Sequence, residues 1–95
     1  MATLIEAAEK LARDILANNL LGLMTSFTPS GMAKALAVQA QSGGTQGATE
    51  FVVADQGDNV VHITFRAPDG EGTIRTTWVR HGDGWKVDDM AALDG

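Results

Sequence analysis

The sequence predicts an α+β fold in which N-terminal helices pack on one face of a curved four-stranded antiparallel sheet. In the first 42 residues apolar side chains recur at helical spacing, whereas from Thr49 onward the period falls to two. Turn dipeptides recur about every dozen residues in this second part. Because the helices all precede the strands, we expect one domain over 1–95, with helices at about 3–42 and a meander at about 49–92.

The composition argues against several classes of function. The chain is 44% hydrophobic and 20% charged, as in an ordinary globular domain. It has no cysteine, which excludes disulfides, thiol catalysis and thiolate metal sites. A formal charge of −5 opposes binding to nucleic acid. No stretch reaches the roughly 18 apolar residues of a membrane span, so we expect no membrane partner and a cytoplasmic location.

Three helices are predicted from start signals and apolar stripes. Thr3 and Glu6 form a capping box before the first stripe, which contains Leu4, Ala8, Leu11 and Ile15. The Leu-rich stretch at 20–27 either forms a short second helix or continues the first with a kink. Thr28 before Pro29 starts a third helix. Its buried stripe is expected to contain Met32, Ala33, Leu36 and Ala40.

Four strands are expected, at 49–55, 60–67, 73–80 and 85–92. Asp69-Gly70 and Asp83-Gly84 are dipeptides that tight hairpin turns prefer. A turn at Asp69-Gly70 pairs three inner residues with three inner partners, namely Phe65 with Ile74, Ile63 with Thr76 and Val61 with Trp78. The same register places His62 opposite Thr77 on the outer face.

The last strand carries two adjacent carboxylates, Asp88 and Asp89. Strict alternation after a turn at Asp83-Gly84, or after a loop at 81–84, places Trp85, Val87, Asp89 and Ala91 on the helix-facing side and Lys86, Asp88 and Met90 outside. The two carboxylates then point to opposite sides of the sheet, so they cannot act as a catalytic pair.

Asp89 is the candidate catalytic residue, because a charge among apolar neighbours on the helix-facing side is costly unless it is paired or hydrated. One interpretation is that it reaches water or caps a backbone amide. The other is that it is a general base in a cleft, where the candidate ligand-binding residues are Trp78, Trp85, Thr76, Asp55 and Val87. Asp55 joins this face if the first hairpin has a three-residue loop at 57–59, whereas a two-residue turn at Gly57-Asp58 reverses its side.

No cofactor or metal site is predicted. His62 and His81 lie roughly 13 Å apart in the expected register, at about 3.3 Å per residue, and cannot share a metal ion. We expect structural or solvent-exposed roles for both.

An amphipathic first helix, a short Leu-rich second helix ending in Phe27-Thr28-Pro29, a third helix and a return strand beginning Asp-Gly-Trp-Lys-Val at 83–87 together resemble the nuclear transport factor 2-like superfamily. This superfamily of cystatin-like α+β folds includes ketosteroid isomerases and polyketide cyclases. The resemblance implies a cone-like shape with a pocket between helices and sheet, and dimers formed through the outer sheet face. The chain is shorter than the enzymes of this superfamily and has no tyrosine to serve as a phenolic oxyanion donor.

Three functional hypotheses remain open. The first is a non-catalytic module, a homodimer through the outer sheet face that binds a small apolar ligand or a partner protein. Its motivating residues are Val52, Val60, Val79 and Met90 with Thr64, Thr77 and Arg75. The second is a cofactor-independent isomerase, dehydratase or cyclase with Asp89 as general base, assisted by Asp55. The third is a regulatory or accessory domain that acts beside a larger enzyme.

Overall fold

The computed structural model describes residues 3–17, 19–42, 48–68, 70–82 and 84–93, apart from the side chains of residue 20 and residues 39–42. The elements are the helices α1 (Leu4–Ala17), α2 (Leu20–Thr25) and α3 (Pro29–Ser42) and the strands β1 (Glu50–Gly57), β2 (Val60–Ala67), β3 (Gly70–His81) and β4 (Gly84–Leu93). The predicted order of helices followed by an antiparallel meander is confirmed.

The four strands form one open sheet in the order β1-β2-β3-β4, with β1 and β4 at its edges. The helices pack on one side of it, which we call the inner face. The core between helices and sheet contains Ala8, Leu11, Ala12, Phe27, Val38, Val61, Ile63, Phe65, Trp78, Val87 and Met90. The expected α+β layers are therefore present, and the cone-like shape implied by the resemblance stays a prediction.

The start signals predicted at Thr3 and Thr28 are both used, and the structure adds a cap at Asn19. Thr3 Oγ1 accepts from the Glu6 N–H at 3.1 Å, and Glu6 Oε1 accepts from the Thr3 N–H at 3.4 Å, which completes the capping box of α1. The Asn19 side chain accepts from the Gly22 N–H at 3.3 Å and caps α2, so the Leu-rich stretch forms a separate helix. The Thr28 hydroxyl caps α3 by accepting from the Gly31 N–H at 3.0 Å.

The buried side of α3 differs from the predicted stripe. Ala33 is exposed and Leu36 is 60% exposed, while the side chain of Ala40 lies outside the described residues. The buried and half-buried positions of α3 are Gly31, Met32, Ala35 and Val38. The cause is the close approach of α3 to β4, because a Cβ built on Gly31 would lie 1.9 Å from the carbonyl oxygen of Val87. This contact sets the rotation of α3 about its axis.

The first hairpin has the register expected for a loop at 57–59. Asp55 lies opposite Val61, so β1 places Phe51, Val53 and Asp55 on the inner face. Asp58 and Asn59 form the turn with φ of 53° and 63°, values that both central positions of a type I′ turn require. A register shift between Asp55 and Gly57 absorbs the additional residue.

The second hairpin turns one residue earlier than predicted. Ala67 pairs with Gly70, so Pro68 begins the turn, while Asp69 lies outside the described residues. Proline is favoured at this position because its ring holds the φ that the first central residue of a turn adopts. The pairing therefore shifts by two residues, and His62 lies opposite Arg75 rather than Thr77. A shift of two keeps every side chain on its predicted face.

The third hairpin begins as predicted and then departs from alternation. Trp78 lies opposite Val87, but the next pair along the strands is Thr77 with Asp89. Asp88 is thus the additional residue of a β-bulge in β4, although the hairpin's Asp83 is itself outside the described residues. The faces predicted for Asp89, Met90 and Ala91 were wrong. Met90 faces the core at 7% exposure, and Asp89 and Ala91 lie on the outer side.

Candidate functional site

Thr76, Trp78 and Val87 are brought together by the structure, but inside the core. Trp78 is 2% exposed, and the other two are fully buried. The Trp78 Nε1–H donates to Thr76 Oγ1 at 2.7 Å, and the Thr76 hydroxyl donates to the Val61 carbonyl oxygen at 2.7 Å. Each polar group therefore has its partner within the protein. This arrangement stabilises a packed interior and leaves these groups without a free donor for a ligand.

Trp85 packs at the margin of the same core, whereas Asp55 lies apart from it on the opposite edge strand. Trp85 is half-buried near the end of the third hairpin, where the Arg80 guanidinium lies 5.1 Å from the centre of its ring. Asp55 is exposed, and its Oδ1 accepts from the Gly57 N–H at 2.8 Å in the first turn. Asp55 is on β1 and Trp85 on β4, the two opposite edges of the sheet. The five predicted ligand-binding residues do not converge on one cavity.

Asp89 is carried to the outer face by the bulge. It lies opposite Thr77, and directly opposed residues of an antiparallel pair share a face. Its Oδ1 accepts from the backbone N–H of Met90 at 2.9 Å. The contact with a backbone amide agrees with the amide-capping interpretation, although Asp89 makes it on the outer face. Its carboxylate lies on the side of the sheet opposite to the inner-face tryptophan Trp78, so the geometry gives no support to a general base in an apolar cleft.

Asp88 is held at the start of α3. The Thr28 hydroxyl donates to Asp88 Oδ1 at 2.8 Å and accepts from the Gly31 N–H at 3.0 Å. The backbone also binds here, since the Thr28 N–H donates to the Val87 carbonyl at 2.9 Å and the Val87 N–H donates to the Ser26 carbonyl at 2.8 Å. This segment covers the edge of β4 where the bulge begins. The contact between Thr28 and Asp88 carried no signal in the sequence, because 59 residues separate them.

The outer sheet face is made of five rows of directly opposed residues. The rows are Glu50–Arg66–Glu71, Val52–Thr64–Thr73–Leu93, Ala54–His62–Arg75–Ala91, Val60–Thr77–Asp89 and Val79–Lys86. None of these residues belongs to the core or packs against it within the described part of the chain. Among them, Val52 is 44% exposed. Strict alternation correctly predicted which residues of β2 and β3 face outward. It missed Ala91 and Leu93, because the bulge reverses the side of the sheet on which the last residues of β4 lie.

Arg75 and Asp89 are two opposite charges in the central rows of the outer sheet face, and Lys86 lies in the row next to Asp89. Arg75 is exposed, and Asp89 is half-buried. They are diagonal neighbours on β3 and β4, a relation that places residues about 7–8 Å apart. Across the described ranges, the ion pairs are Lys10 with Asp14 and Arg66 with Glu71, so neither central charge is neutralised within the chain.

Two further features bear on the kind of site. No group of three histidine, aspartate or glutamate side chains is close enough to hold a metal ion in the described part of the chain. His62 and His81 lie on the sheet without a shared ligand position, His81 being opposite Gly84. None of the helices, over the residues that are described, is long and apolar enough to cross a membrane.

Comparisons of the chain with protein-family models, with curated proteins and with solved structures find no match. Membership of the nuclear transport factor 2-like superfamily stays a prediction from the sequence pattern. The geometry of the outer sheet face is therefore the basis for inferring a function.

Proposed function

We propose that this protein is a non-catalytic binding module whose working surface is the outer sheet face, and that the partner it binds there is a second copy of the chain. The observation that carries the proposal is a four-stranded face left uncovered by the three helices. It has aliphatic side chains in four of its five rows and two opposite charges, Arg75 and Asp89, that lack ion-pair partners in the described chain.

The chemistry of the outer sheet face suits a protein partner. Its aliphatic members are Val52, Ala54, Val60, Val79, Ala91 and Leu93. Between them, Thr64 and Thr73 satisfy each other through hydroxyls 2.9 Å apart, which lowers the cost of removing them from water. Such a mixture of aliphatic and polar groups is typical of interfaces between proteins that also exist apart.

Stacking ligands do not fit this surface. All five aromatic side chains, namely Phe27, Phe51, Phe65, Trp78 and Trp85, belong to the core or pack against it. The outer sheet face therefore offers no phenyl or indole platform for a nucleic-acid base. A protein surface with complementary charges is the partner class that remains.

The size of the face sets the expected affinity. Four strands at about 4.8 Å spacing and eight residues at about 3.3 Å each cover about 19 by 26 Å, or about 500 Å² per protomer. Two such faces bury about 1,000 Å², which is at the lower limit of specific interfaces. We therefore expect a reversible dimer with a dissociation constant in the micromolar range.

A negative charge introduced at Val52 or Val79 tests whether the outer sheet face forms the dimer. In sedimentation equilibrium, Val52→Glu and Val79→Glu should each raise the dimer dissociation constant about 100-fold or more, because two-fold symmetry places two additional carboxylates in the interface, where they must be removed from water. Glu at position 79 faces Lys86 in the monomer, so its own fold should tolerate it.

The matched control is Leu36→Glu, which places the same charge on an exposed position of α3, outside the outer sheet face. It should leave the dissociation constant within about threefold of wild type, a change below 1 kcal/mol. A wild-type protein that is monomeric at several hundred micromolar would refute the proposed function. So would a dimer that Leu36→Glu dissociates and Val79→Glu does not.

A further inference from the structure

The structure assigns a register to the dimer. We propose that the two outer sheet faces pack so that Arg75 of each protomer pairs with Asp89 of the other, and that these two ion pairs select a second copy over other partners. This inference rests on the proposed function. It gives Asp89 a binding role in place of the catalytic one that its position in the sequence suggested.

Arg75 forms no ion pair with any residue that the structure describes. Its directly opposed neighbours are His62 on β2 and Ala91 on β4, neither of which is acidic. Asp89, the nearest acidic residue on this face, is a diagonal neighbour and forms no ion pair with it. Within the described residues, the guanidinium is thus presented from the central part of the sheet towards whatever covers that face.

Asp89 is held in a fixed position to receive such a group. Its Oδ1 accepts from the Met90 N–H at 2.9 Å, and the bulge at Asp88 directs the side chain to the outer side. An aspartate anchored by its own strand loses little side-chain freedom when a partner binds its second oxygen. A guanidinium is well suited to that contact because its planar donors match a carboxylate.

Two-fold symmetry turns this pair of charges into a self-complementary surface. In a symmetric dimer, if residue i of one protomer contacts residue j of the other, then j also contacts i. An axis that lies in the interface, parallel to the sheet, and bisects the line from Arg75 to Asp89 at right angles therefore places Arg75 over the partner subunit's Asp89, and the reverse. Both contacts come from one arrangement, whereas other axes separate these four charges or bring like charges together.

Charge reversal tests the register. By sedimentation equilibrium, Arg75→Glu and Asp89→Arg should each raise the dimer dissociation constant about 100-fold, or about tenfold at each of two symmetry-related contacts. The double variant Arg75→Glu/Asp89→Arg restores opposite charges and should return the constant to within about fivefold of wild type. Circular dichroism checks that each single variant is folded.

Arg13→Glu on the exposed side of α1 is the matched control, since it changes the net charge as much as Arg75→Glu does. It should leave dimerisation unchanged. If the single reversals have no effect while Val79→Glu still dissociates the dimer, the register proposed here is overturned and the proposed function stands. If the double variant stays monomeric, the register is overturned as well. A wild-type monomer overturns the proposed function itself.

Discussion

Replacing Gly31 with alanine is expected to destabilise the protein by about 3 kcal/mol or more. A Cβ at this position would lie 1.9 Å from the Val87 carbonyl oxygen and 2.7 Å from its carbonyl carbon, and these are backbone atoms that cannot rotate away. Alanine in a helix is otherwise favoured over glycine by about 1 kcal/mol, so the sign of the effect separates a close contact from an open helix position. The destabilisation caused by packing a side-chain atom against the backbone lies at the upper end of the range that overpacked cores show, about 1–3 kcal/mol or more.

The measurement is thermal or urea unfolding, in which the melting temperature of Gly31→Ala should fall by roughly 12 °C or more. Gly72→Ala is the matched control, because a Cβ at Gly72 meets no atom within 4 Å and its φ is not positive. It should change the free energy of unfolding by less than about 1 kcal/mol. A Gly31→Ala protein as stable as Gly72→Ala would mean that α3 does not lie against the bulge of β4.

The second large effect is expected at Met90. Truncation of this core side chain by Met90→Ala should lower the free energy of unfolding by about 2–3 kcal/mol, because it removes packed atoms and leaves a cavity. Asp89→Ala should cost about 1 kcal/mol or less, since it loses only one hydrogen bond to the Met90 amide. Both are measured by urea unfolding in dilute protein, where the monomer predominates.

The comparison of these two variants decides whether β4 contains the bulge. A strand that alternated without interruption would bury Asp89 and expose Met90. In that case Met90→Ala would be nearly neutral, and Asp89→Ala would stabilise the protein by removing a buried charge. With the bulge in place, Met90→Ala is instead expected to lower the free energy of unfolding more than Asp89→Ala does.

The helices and their first turns could be predicted because their signals are local. Thr3 with Glu6, and Thr28 before Pro29, satisfy backbone donors within one turn of their own position. The rotation of α3 could not be predicted, because its composition is apolar on more than one side. Met32, Ala33, Ala35 and Leu36 are all compatible with burial, and only the distant Val87 backbone selects which of them faces the sheet.

The faces of β2 and β3 could be predicted even though their register could not. A turn at Pro68 instead of Asp69 shifts the pairing by two residues, and the side-chain period of a strand is also two. Val61, Ile63 and Phe65 therefore face the core in either register. Errors of this kind change which residues are opposite each other and leave the inner and outer sets unchanged.

The bulge is where alternation failed, and with it the candidate catalytic residue. The stretch Val87-Asp88-Asp89-Met90 has its apolar residues three apart, which fits two inner positions separated by a bulge better than strict alternation does. That spacing was the available signal. The contacts that complete the bulge, from Thr28 to Asp88 and to the Val87 carbonyl, come from a segment 59–60 residues away in the sequence.

The candidate site changed because facing determines what a carboxylate can do. On the inner face, Asp89 would be a costly charge beside Trp78, and a catalytic role would account for that cost. On the outer face, it lies diagonally beside Arg75 on an uncovered sheet. The same residue therefore supports an interface rather than an active site.

The central claim is that a second copy covers the outer sheet face, and the most direct test is an isotope-filtered NOE experiment on a dimer of one labelled and one unlabelled protomer. Intermolecular cross-peaks are predicted from the methyl groups of Val52, Val60 and Val79, with none from Leu36 on α3. A dimer whose intermolecular cross-peaks arise from Leu36 and the exposed Met24, and not from the valines of the sheet, would contradict the account.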